Sequence, residues 1–302
     1  MRDSLDSDSV SAALVTSGRP WRGIEFHPSL GSTNTRLREL LTARPPLGAT
    51  AQAGAGAGTP GPGDGALWWV VATDHQTGGR GRLGRAWTVP DRASLAVSVA
   101  VPVADPAQAG WLPLLAGLAL ARAVGRVSTS AGREISPRLK WPNDVLVAED
   151  GDRKLSGILC ELVTVGSAPV VVVGTGVNVD QTRDELPVDT ATSLALAGVQ
   201  VRREELLVTY LDHLVAVLAE AGIARLPGLA GADPAAVRTA YRDRCSTIGM
   251  AVRVHLPTGD AAVGTAVGVD DDGALVVRTE GGTRTFAAGD VVHVRPAGDG
   301  LA

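Results

Sequence analysis

The sequence predicts an α/β fold in two parts, a large domain of alternating strands and helices followed by a small all-β domain. Segments with strand and helix periodicity alternate between residues 21 and 246. From about residue 249, short valine-rich segments separated by turn clusters replace them. The 302 residues are 45% hydrophobic, which is enough to bury a sizeable core.

The N-terminal part begins with little pattern. Residues 1–20 are acidic and serine-rich, and we expect them to form a disordered tail. Residues 24–28 fit a short strand, and the GSTN segment at 31–34 offers caps for a following helix. Residues 43–66 are almost all Ala, Gly, Pro and Thr, and this low-complexity stretch predicts a flexible surface insertion.

Five further strands and three helices are predicted in the rest of the large domain. Compact apolar runs or period-2 alternation mark the strands, and helical periodicity marks the helices. The alternation of Leu95, Val97, Val99 and Val101 predicts a half-buried strand. The strands are expected at 67–73, 95–101, 138–147, 154–163 and 169–179, and the helices at 108–126, 202–220 and 234–245.

The C-terminal part resembles a small SH3-like β-barrel. Turn clusters at 257–260, 270–273 and 280–282 separate its short strands. We therefore place the large domain at 21–246 and the small domain at 247–302.

Composition excludes several classes of protein. The formal net charge is −4, from 28 basic and 32 acidic residues, which argues against a broad nucleic-acid surface and a DNA partner. Cys160 and Cys245 are too few for a disulfide framework, and we interpret Cys160 as a small buried apolar residue. The N-terminus shows no secretory signal, and no run of apolar residues is long enough for a membrane helix. We expect a cytoplasmic protein without a membrane partner.

Two features point to a site for anionic ligands. Residues 79–85 read Gly-Arg-Gly-Arg-Leu-Gly-Arg, in which glycines permit close backbone approach and arginines donate to phosphate or carboxylate. Such a loop is expected to be mobile until an anion orders it, although a solvated basic turn or an RG-type nucleic-acid segment has the same composition. Lysine occurs only at Lys140 and Lys154, each within a motif, which indicates positions that need an ammonium group.

Five motifs follow one another in order: GSTN at 31–34, GRGRLGR at 79–85 with Trp87 after it, KWPND at 140–144, KLSGIL at 154–159 and GTGVNV at 174–179. Together they resemble the biotin protein ligases. The resemblance implies a catalytic domain like that of class II synthetases, with a central mixed sheet, and a monofunctional enzyme without a DNA-binding domain. It further implies biotin and ATP as substrates, Mg²⁺, and a biotin carboxyl carrier protein as partner. A monomer and a homodimer both remain open.

The resemblance also assigns roles to individual residues. Lys154, Arg82 and Asp144 are expected to be catalytic, and Asn143 and Asp144 to hold Mg²⁺. The expected biotin-binding residues are Ser32, Thr33, Asn34, Gln76, Gly79, Arg80, Trp87, Lys154, Gly157 and Gly174. The expected nucleotide-binding residues are Arg82, Arg85, Trp87, Lys140, Asn143, Gly176 and Asn178. One departure is Gly31, where many family members have an aspartate.

Structural roles compete with several of these assignments. Ser32 and Thr33 suit helix caps, Trp87 suits an ordinary core, and Asp144 suits a turn. Gly174 and Gly176 suit a strand bulge.

Three other functions were weighed. A lipoate or octanoyl ligase shares the expected fold, but the residues of the GRGRLGR and KWPND motifs favour biotin as the substrate. A biotin-sensing repressor needs a DNA-binding domain, for which the 20 residues before the first strand leave no room. A non-catalytic binding module built around the β-barrel, or a biotin-binding regulatory protein, is the third alternative, and the binding module leaves the motifs at 31–179 unexplained.

Overall fold

The computed structural model describes residues 2–16, 19–43, 68–223, 232–256, 260–287 and 290–293. The predicted insertion at 43–66 therefore lies outside the described residues, apart from Ala43 at the end of a helix. The described helices are α1 (Ser7–Leu14), α2 (Thr33–Ala43), α3 (Leu112–Ser130), α4 (Arg203–Glu220) and α5 (Pro234–Arg244).

Fourteen strands are described. In chain order they are β1 (Gly23–Leu30), β2 (Trp69–Gln76), β3 (Gly79–Arg80), β4 (Ala86–Trp87), β5 (Ser94–Pro102), β6 (Pro137–Lys140), β7 (Asp144–Val147), β8 (Arg153–Val165), β9 (Ala168–Asn178), β10 (Ala251–His255), β11 (Ala261–Val269), β12 (Leu275–Thr279), β13 (Gly282–Phe286) and β14 (Asp290–His293).

Seven of the strands form a mixed sheet in the order β1-β2-β5-β9-β8-β7-β6. β1 and β2 run parallel, and the other neighbours are antiparallel. Five strands form a small antiparallel sheet in the order β13-β12-β11-β10-β14, and β3 pairs with β4 as a separate hairpin. The predicted α/β architecture with a small C-terminal all-β part is thereby confirmed.

Helices cover both faces of the large sheet. Along β5 and β9, Val97, Val99 and Val173 point into the main core with the apolar sides of α3 and α4. The intervening Ala100 and Val172 pack against α2. This alternation places the two middle strands between two layers of helix.

Because α2 covers the second face, the expectation that the strand at 95–101 is half-buried is wrong. Every residue from Ser94 to Val101 is buried. Ala96, Ser98 and Ala100 alternate with the large apolar residues and so resemble a solvent-facing side. Their small side chains instead allow a helix to approach this face.

The single strand predicted at 138–147 is also wrong, since the structure has the hairpin β6–β7 there. Lys140 and Asp144 are Cα partners, and residues 141–143 form the turn between them. Pro142 lacks an amide hydrogen and cannot continue a ladder, which accounts for the reversal of the chain.

The disordered tail predicted for residues 1–20 is wrong where α1 lies. The Asp6 side chain caps α1 by accepting a hydrogen bond from Ser9 N, and Val10 and Leu14 are fully buried. Arg2 pairs with Glu185 at 2.6 Å. Val10 and Leu14 are four positions apart and therefore lie on one face of a helix. The acidic average composition of residues 1–20 conceals this pattern.

α3 is long and apolar enough to cross a membrane by length and composition alone. However, 72% of its most apolar 18-residue window is buried inside the protein. α3 is therefore the central core helix of the fold.

We predict that Leu14→Ala lowers the free energy of unfolding by about 2–5 kcal/mol, because it removes a fully buried leucine. The adjacent Val15 is 47% exposed, so Val15→Ala should change the free energy of unfolding by no more than about 0.5 kcal/mol. Urea unfolding of both variants measures the difference. Equal stabilities would contradict the packing of α1 against the fold.

Candidate active site

The first turn of α2 is tied to the large sheet by the side chain of Asn34. Ser98 on β5, Gly174 on β9 and Leu159 on β8 lie in one row across the sheet. Asn34 Oδ1 accepts a hydrogen bond from Ser98 Oγ (2.6 Å), and its Nδ2 donates to Leu159 O (3.3 Å). Asn34 thus spans three neighbouring strands.

Gly174 makes this arrangement possible, because a Cβ at this position would collide with the Asn34 amide. Asn34 Nδ2 also donates to Glu161 Oε2 at 2.7 Å, and Asn34 is only 5% exposed. In this structure the predicted biotin residues Asn34 and Gly174 therefore make their contacts with protein. They fix the start of α2, and a direct role with biotin stays a prediction.

Thr33 and Gln76 lie together where β2 ends. Gln76 Oε1 accepts hydrogen bonds from the backbone N (3.0 Å) and Oγ1 (3.1 Å) of Thr33. Ser32 Oγ accepts a hydrogen bond from Thr35 N at 3.4 Å and so caps α2. The structure thus brings together the three polar side chains that were predicted to bind the biotin ring.

The basic loop folds as the hairpin β3–β4. Gly79 pairs with Trp87 and Arg80 with Ala86, and Gly81 N donates to Arg85 O at 2.7 Å. The Arg80 guanidinium donates to Thr35 Oγ1 at 3.1 Å, which attaches the hairpin to α2. The predicted mobility of this segment stays a prediction.

The Trp87 indole lies on two paired glycines, Gly157 of β8 and Gly176 of β9. A Cβ on Gly176 would lie 2.6–2.9 Å from three indole atoms, and one on Gly157 would lie 3.6 Å from the ring. Trp87 Nε1 is buried and has no hydrogen-bond partner among the described residues. We call Gly157 and Gly176 the glycine floor.

Lys154 and Asp144 form an ion pair at the edge of the glycine floor. Lys154 Nζ lies 2.6 Å from Asp144 Oδ1, with the side chains 36% and 18% exposed. The backbone of Lys154 is fixed on both sides, because its N donates to Thr190 O and its O accepts from Thr192 N, each at 2.8 Å. A cation and a carboxylate therefore stand beside the Trp87 indole.

Asn143 is held against β8. Its Nδ2 donates to Ile158 O at 2.8 Å, so the amide oxygen is directed away from that strand. This oxygen and the Asp144 carboxylate are oxygen donors of the kind that Mg²⁺ prefers. The described residues contain no group of three or more His, Cys, Asp or Glu that could hold a metal ion. The donor set fits a magnesium ion that takes most of its ligands from phosphate and water.

Asn178 is buried beneath the loop that follows β9. Its Nδ2 donates to Thr192 O at 2.9 Å, and its Oδ1 accepts from Gln181 Nε2 at 3.0 Å. These bonds orient the amide within the protein, and the predicted contact with adenine stays a prediction.

A cavity of about 180 Å³ lies between the large and small sheets. Arg82, Trp141, Cys160 and Gly273 are among its lining residues. Burial raises the pKa of the Cys160 thiol to about 12, so the thiol is neutral at ordinary pH. The neutral thiol fits the interpretation of Cys160 as an apolar residue, but the residue is half-buried at the cavity wall and not buried as predicted. Arg82 stands at the cavity wall, and Arg85 Nε donates to Arg82 O at 3.3 Å within the hairpin.

Sequence reasoning missed Ser98 and Glu161, which orient Asn34 from either side. Both carried a signal. Ser98 is a polar residue among apolar ones in β5, and Glu161 is a charged residue in the apolar run of β8. Buried polar groups require partners, so each position calls for one across the sheet.

Comparison with known protein families gives two matches. Residues 67–178 match the Biotin/lipoate A/B protein ligase family, and residues 247–294 match the Biotin protein ligase C terminal domain.

Individual proteins match as well. The chain is 39% identical over 297 residues to Biotin--[acetyl-CoA-carboxylase] ligase of Mycobacterium tuberculosis, covering 98% of each protein. It is 30% identical over 225 residues to the Bifunctional ligase/repressor BirA of Escherichia coli, covering 72% of this chain and 64% of that longer protein. In structure it is similar to the biotin protein ligase of Aquifex aeolicus in complex with biotin and ATP, with a TM-score of 0.64 and 24% identity over 91% of this chain and 99% of that one.

We predict that Gly176→Ala displaces the Trp87 indole from the glycine floor, because the new methyl group would lie 2.6–2.9 Å from ring atoms. Acrylamide quenching of tryptophan fluorescence should increase in the variant. The increase should vanish when Gly176→Ala is made in a Trp87→Phe background, which assigns the signal to Trp87.

Gly125→Ala is the matched control, since a Cβ there meets nothing within 4 Å. It should leave quenching unchanged. Unchanged quenching in Gly176→Ala would show that the indole does not rest on the glycine floor.

Proposed function

The chain belongs to the biotin protein ligase family, and we propose that it activates biotin and transfers it to a carrier lysine at the single site formed by Trp87, Lys154 and the glycine floor. It is a biotin ligase, and the reaction we propose consumes ATP and releases AMP.

The observation that carries the proposal is the position of Lys154. Its ammonium group lies beside Gly157, next to the Trp87 ring, and pairs with Asp144 at 2.6 Å. The Lys154 cation therefore lies at the edge of the glycine floor, which the Trp87 ring covers. A cation there suits a reaction between two anions, because it stabilises their negative charge. The Ser32, Thr33 and Gln76 cluster provides polar groups for the biotin ring on the α2 side of the same site.

In the first step, a biotin carboxylate oxygen attacks the α-phosphorus of ATP, and pyrophosphate leaves with the electrons of the broken P–O bond. Two unit charges 4 Å apart repel by about 4 kcal/mol at an effective dielectric constant near 20. Lys154 and Arg82 reduce this repulsion and stabilise the charge that develops on the phosphate oxygens. Asp144 orients Lys154 through their ion pair. Arg85 and Lys140 add positive charge near the triphosphate.

Asn143 and Asp144 would hold Mg²⁺ through their oxygen atoms. When bound, Mg²⁺ supplies neutralisation of phosphate charge.

In the second step, the ε-amine of a carrier lysine attacks the carbonyl carbon of biotinyl-5′-adenylate. The C–O bond to phosphate breaks, AMP leaves, and the amine nitrogen loses its proton as the amide forms. Trp87 and the hairpin shield the mixed anhydride from water, so that the amine and not water reacts with it.

The acceptor is a lysine of the biotin carboxyl carrier protein of a carboxylase, because the Mycobacterium tuberculosis relative is named for acetyl-CoA-carboxylase. We place the reaction in the cytoplasm, without DNA as a partner, in keeping with the net charge of −4.

The proposed function predicts biotin-dependent exchange of labelled pyrophosphate into ATP, with octanoate inactive in place of biotin. Lys154→Ala should lower the exchange rate by about 100-fold or more, because it removes the charge that stabilises the transition state. Circular dichroism and urea unfolding should show that the variant remains folded.

Arg138→Ala is the matched control, since Arg138 is an exposed cation paired with Asp152 at 3.4 Å. It should retain the exchange rate. Exchange with octanoate but not biotin would favour the lipoate or octanoyl ligase, and full activity of Lys154→Ala would remove Lys154 from the chemistry.

Arg82→Ala is expected to hold the adenylate less firmly, because a charge-assisted hydrogen bond to phosphate is lost. The dissociation rate of biotinyl-5′-adenylate should rise about 10- to 100-fold. A stopped-flow chase with unlabelled adenylate measures it, and labelling of a bystander protein reports the released intermediate. A dissociation rate equal to that of the unmodified protein would exclude Arg82 as a phosphate ligand.

A further inference from the structure

The KWPND segment at 140–144 and the residue before it are hydrogen-bonded to residues that follow α5. Cys245 forms a parallel bridge with Leu139, and Ser246 N donates to Leu139 O at 2.8 Å. The next amide along the segment, Trp141 N, donates to Thr247 Oγ1 at 3.0 Å. At this position a side-chain hydroxyl replaces the carbonyl that a regular ladder would supply.

Thr247 is fully buried, at 0% exposed, and its hydroxyl has a second partner. His293 Nε2 of β14 lies 3.3 Å from Thr247 Oγ1. The Thr247 oxygen accepts the hydrogen bond from Trp141 N, and its own proton can be donated to His293 Nε2 when that nitrogen is unprotonated in the neutral imidazole. Burial of His293 lowers the pKa of its imidazole, and the positive charge of Lys140 lowers it further, which favours this neutral form.

The Trp141 side chain is held as well, by the turn that joins β11 to β12. Its Nε1 donates to Gly273 O at 2.9 Å, and the residue is 1% exposed. Both the backbone and the indole of Trp141 are therefore bonded to residues 247–273. Lys140 precedes this anchored residue, and Asp144, the ion-pair partner of Lys154, closes the same turn.

We propose that Thr247 is a positioning residue for adenylate formation: its hydroxyl fixes Trp141 and thereby sets the places of Lys140 and Asp144 relative to Lys154. Thr247 acts through Trp141 and does not itself touch substrate. The proposal rests on the roles given to Lys140, Asp144 and Lys154 under Proposed function. A misplacement of about 1 Å at a reacting centre is enough to cost about 100-fold in rate.

Two substitutions in the full chain separate the hydroxyl from the shape of the side chain. Thr247→Val keeps the shape and removes the acceptor, whereas Thr247→Ser keeps the acceptor. We expect Thr247→Val to lower kcat/KM for ATP in pyrophosphate exchange by about tenfold or more. Thr247→Ser should return it to within about threefold of the unmodified protein. The calorimetric Kd for biotin alone should stay within about twofold in both variants, since the biotin cluster lies at α2.

A stability control is Val254→Ala, which removes a fully buried side chain from β10 of the same small sheet. It should lower the urea midpoint at least as much as Thr247→Val and leave kcat/KM for ATP unchanged. Three results would overturn the proposal: an unchanged kcat/KM for ATP in Thr247→Val, an equal loss in Val254→Ala, or a parallel loss of biotin affinity in Thr247→Val.

If Thr247→Val does not fold, Thr247→Ala tests the same link, because it also removes the hydroxyl that accepts the hydrogen bond from Trp141 N. A selective fall in kcat/KM for ATP supports the proposal, and unchanged kinetics overturn it. Absence of biotin-dependent exchange in the unmodified protein would instead refute the proposed function itself, so the two failures are distinguishable.

Discussion

The arrangement of the site depends on one buried amide. Asn34 reaches across three strands, bonded to Ser98 on one side and to Leu159 and Glu161 on the other, and by doing so fixes where α2 begins. Because the amide is buried, each of its bonds must be satisfied by protein, and the loss of one leaves an unpaired polar group that costs about 1–3 kcal/mol. The place of Thr33, and through it of the Gln76 side chain, follows from this anchor.

Glycine enables two different contacts on the same sheet. Gly174 gives room to the Asn34 amide, whereas Gly157 and Gly176 give room to the Trp87 indole. Buried valines occupy residues 170–173 of β9, where the strand packs between helices. Glycines at alternate positions of β9 therefore leave room for two different groups. The Asn34 amide of α2 packs at Gly174, and the Trp87 indole packs at Gly176.

Much of the architecture could be predicted from the sequence, because periodicity records which side of an element is buried. The exceptions have local causes. Alternation in β5 did not show that small residues on its second face admit α2, and average composition concealed the two buried residues of α1. The site motifs named Lys154 and Asp144, which the structure brings together as an ion pair. They did not indicate Ser98 and Glu161, whose contacts arise only when strands distant in sequence become adjacent. The link from Thr247 to Trp141 joins residues 106 positions apart and has no local pattern.

The scarcity of lysine has a consequence for the protein's own chemical integrity. An enzyme that makes an amine-acylating intermediate exposes its own amines to that intermediate first. This chain has lysine at only two positions, and the guanidinium groups of its arginines stay protonated and do not act as acyl acceptors. Of the two lysines, Lys154 pairs with Asp144 at 2.6 Å, so its terminal nitrogen is directed at a carboxylate of the protein. A chain with lysine at only two positions thus offers few side-chain amines of its own to an acylating intermediate.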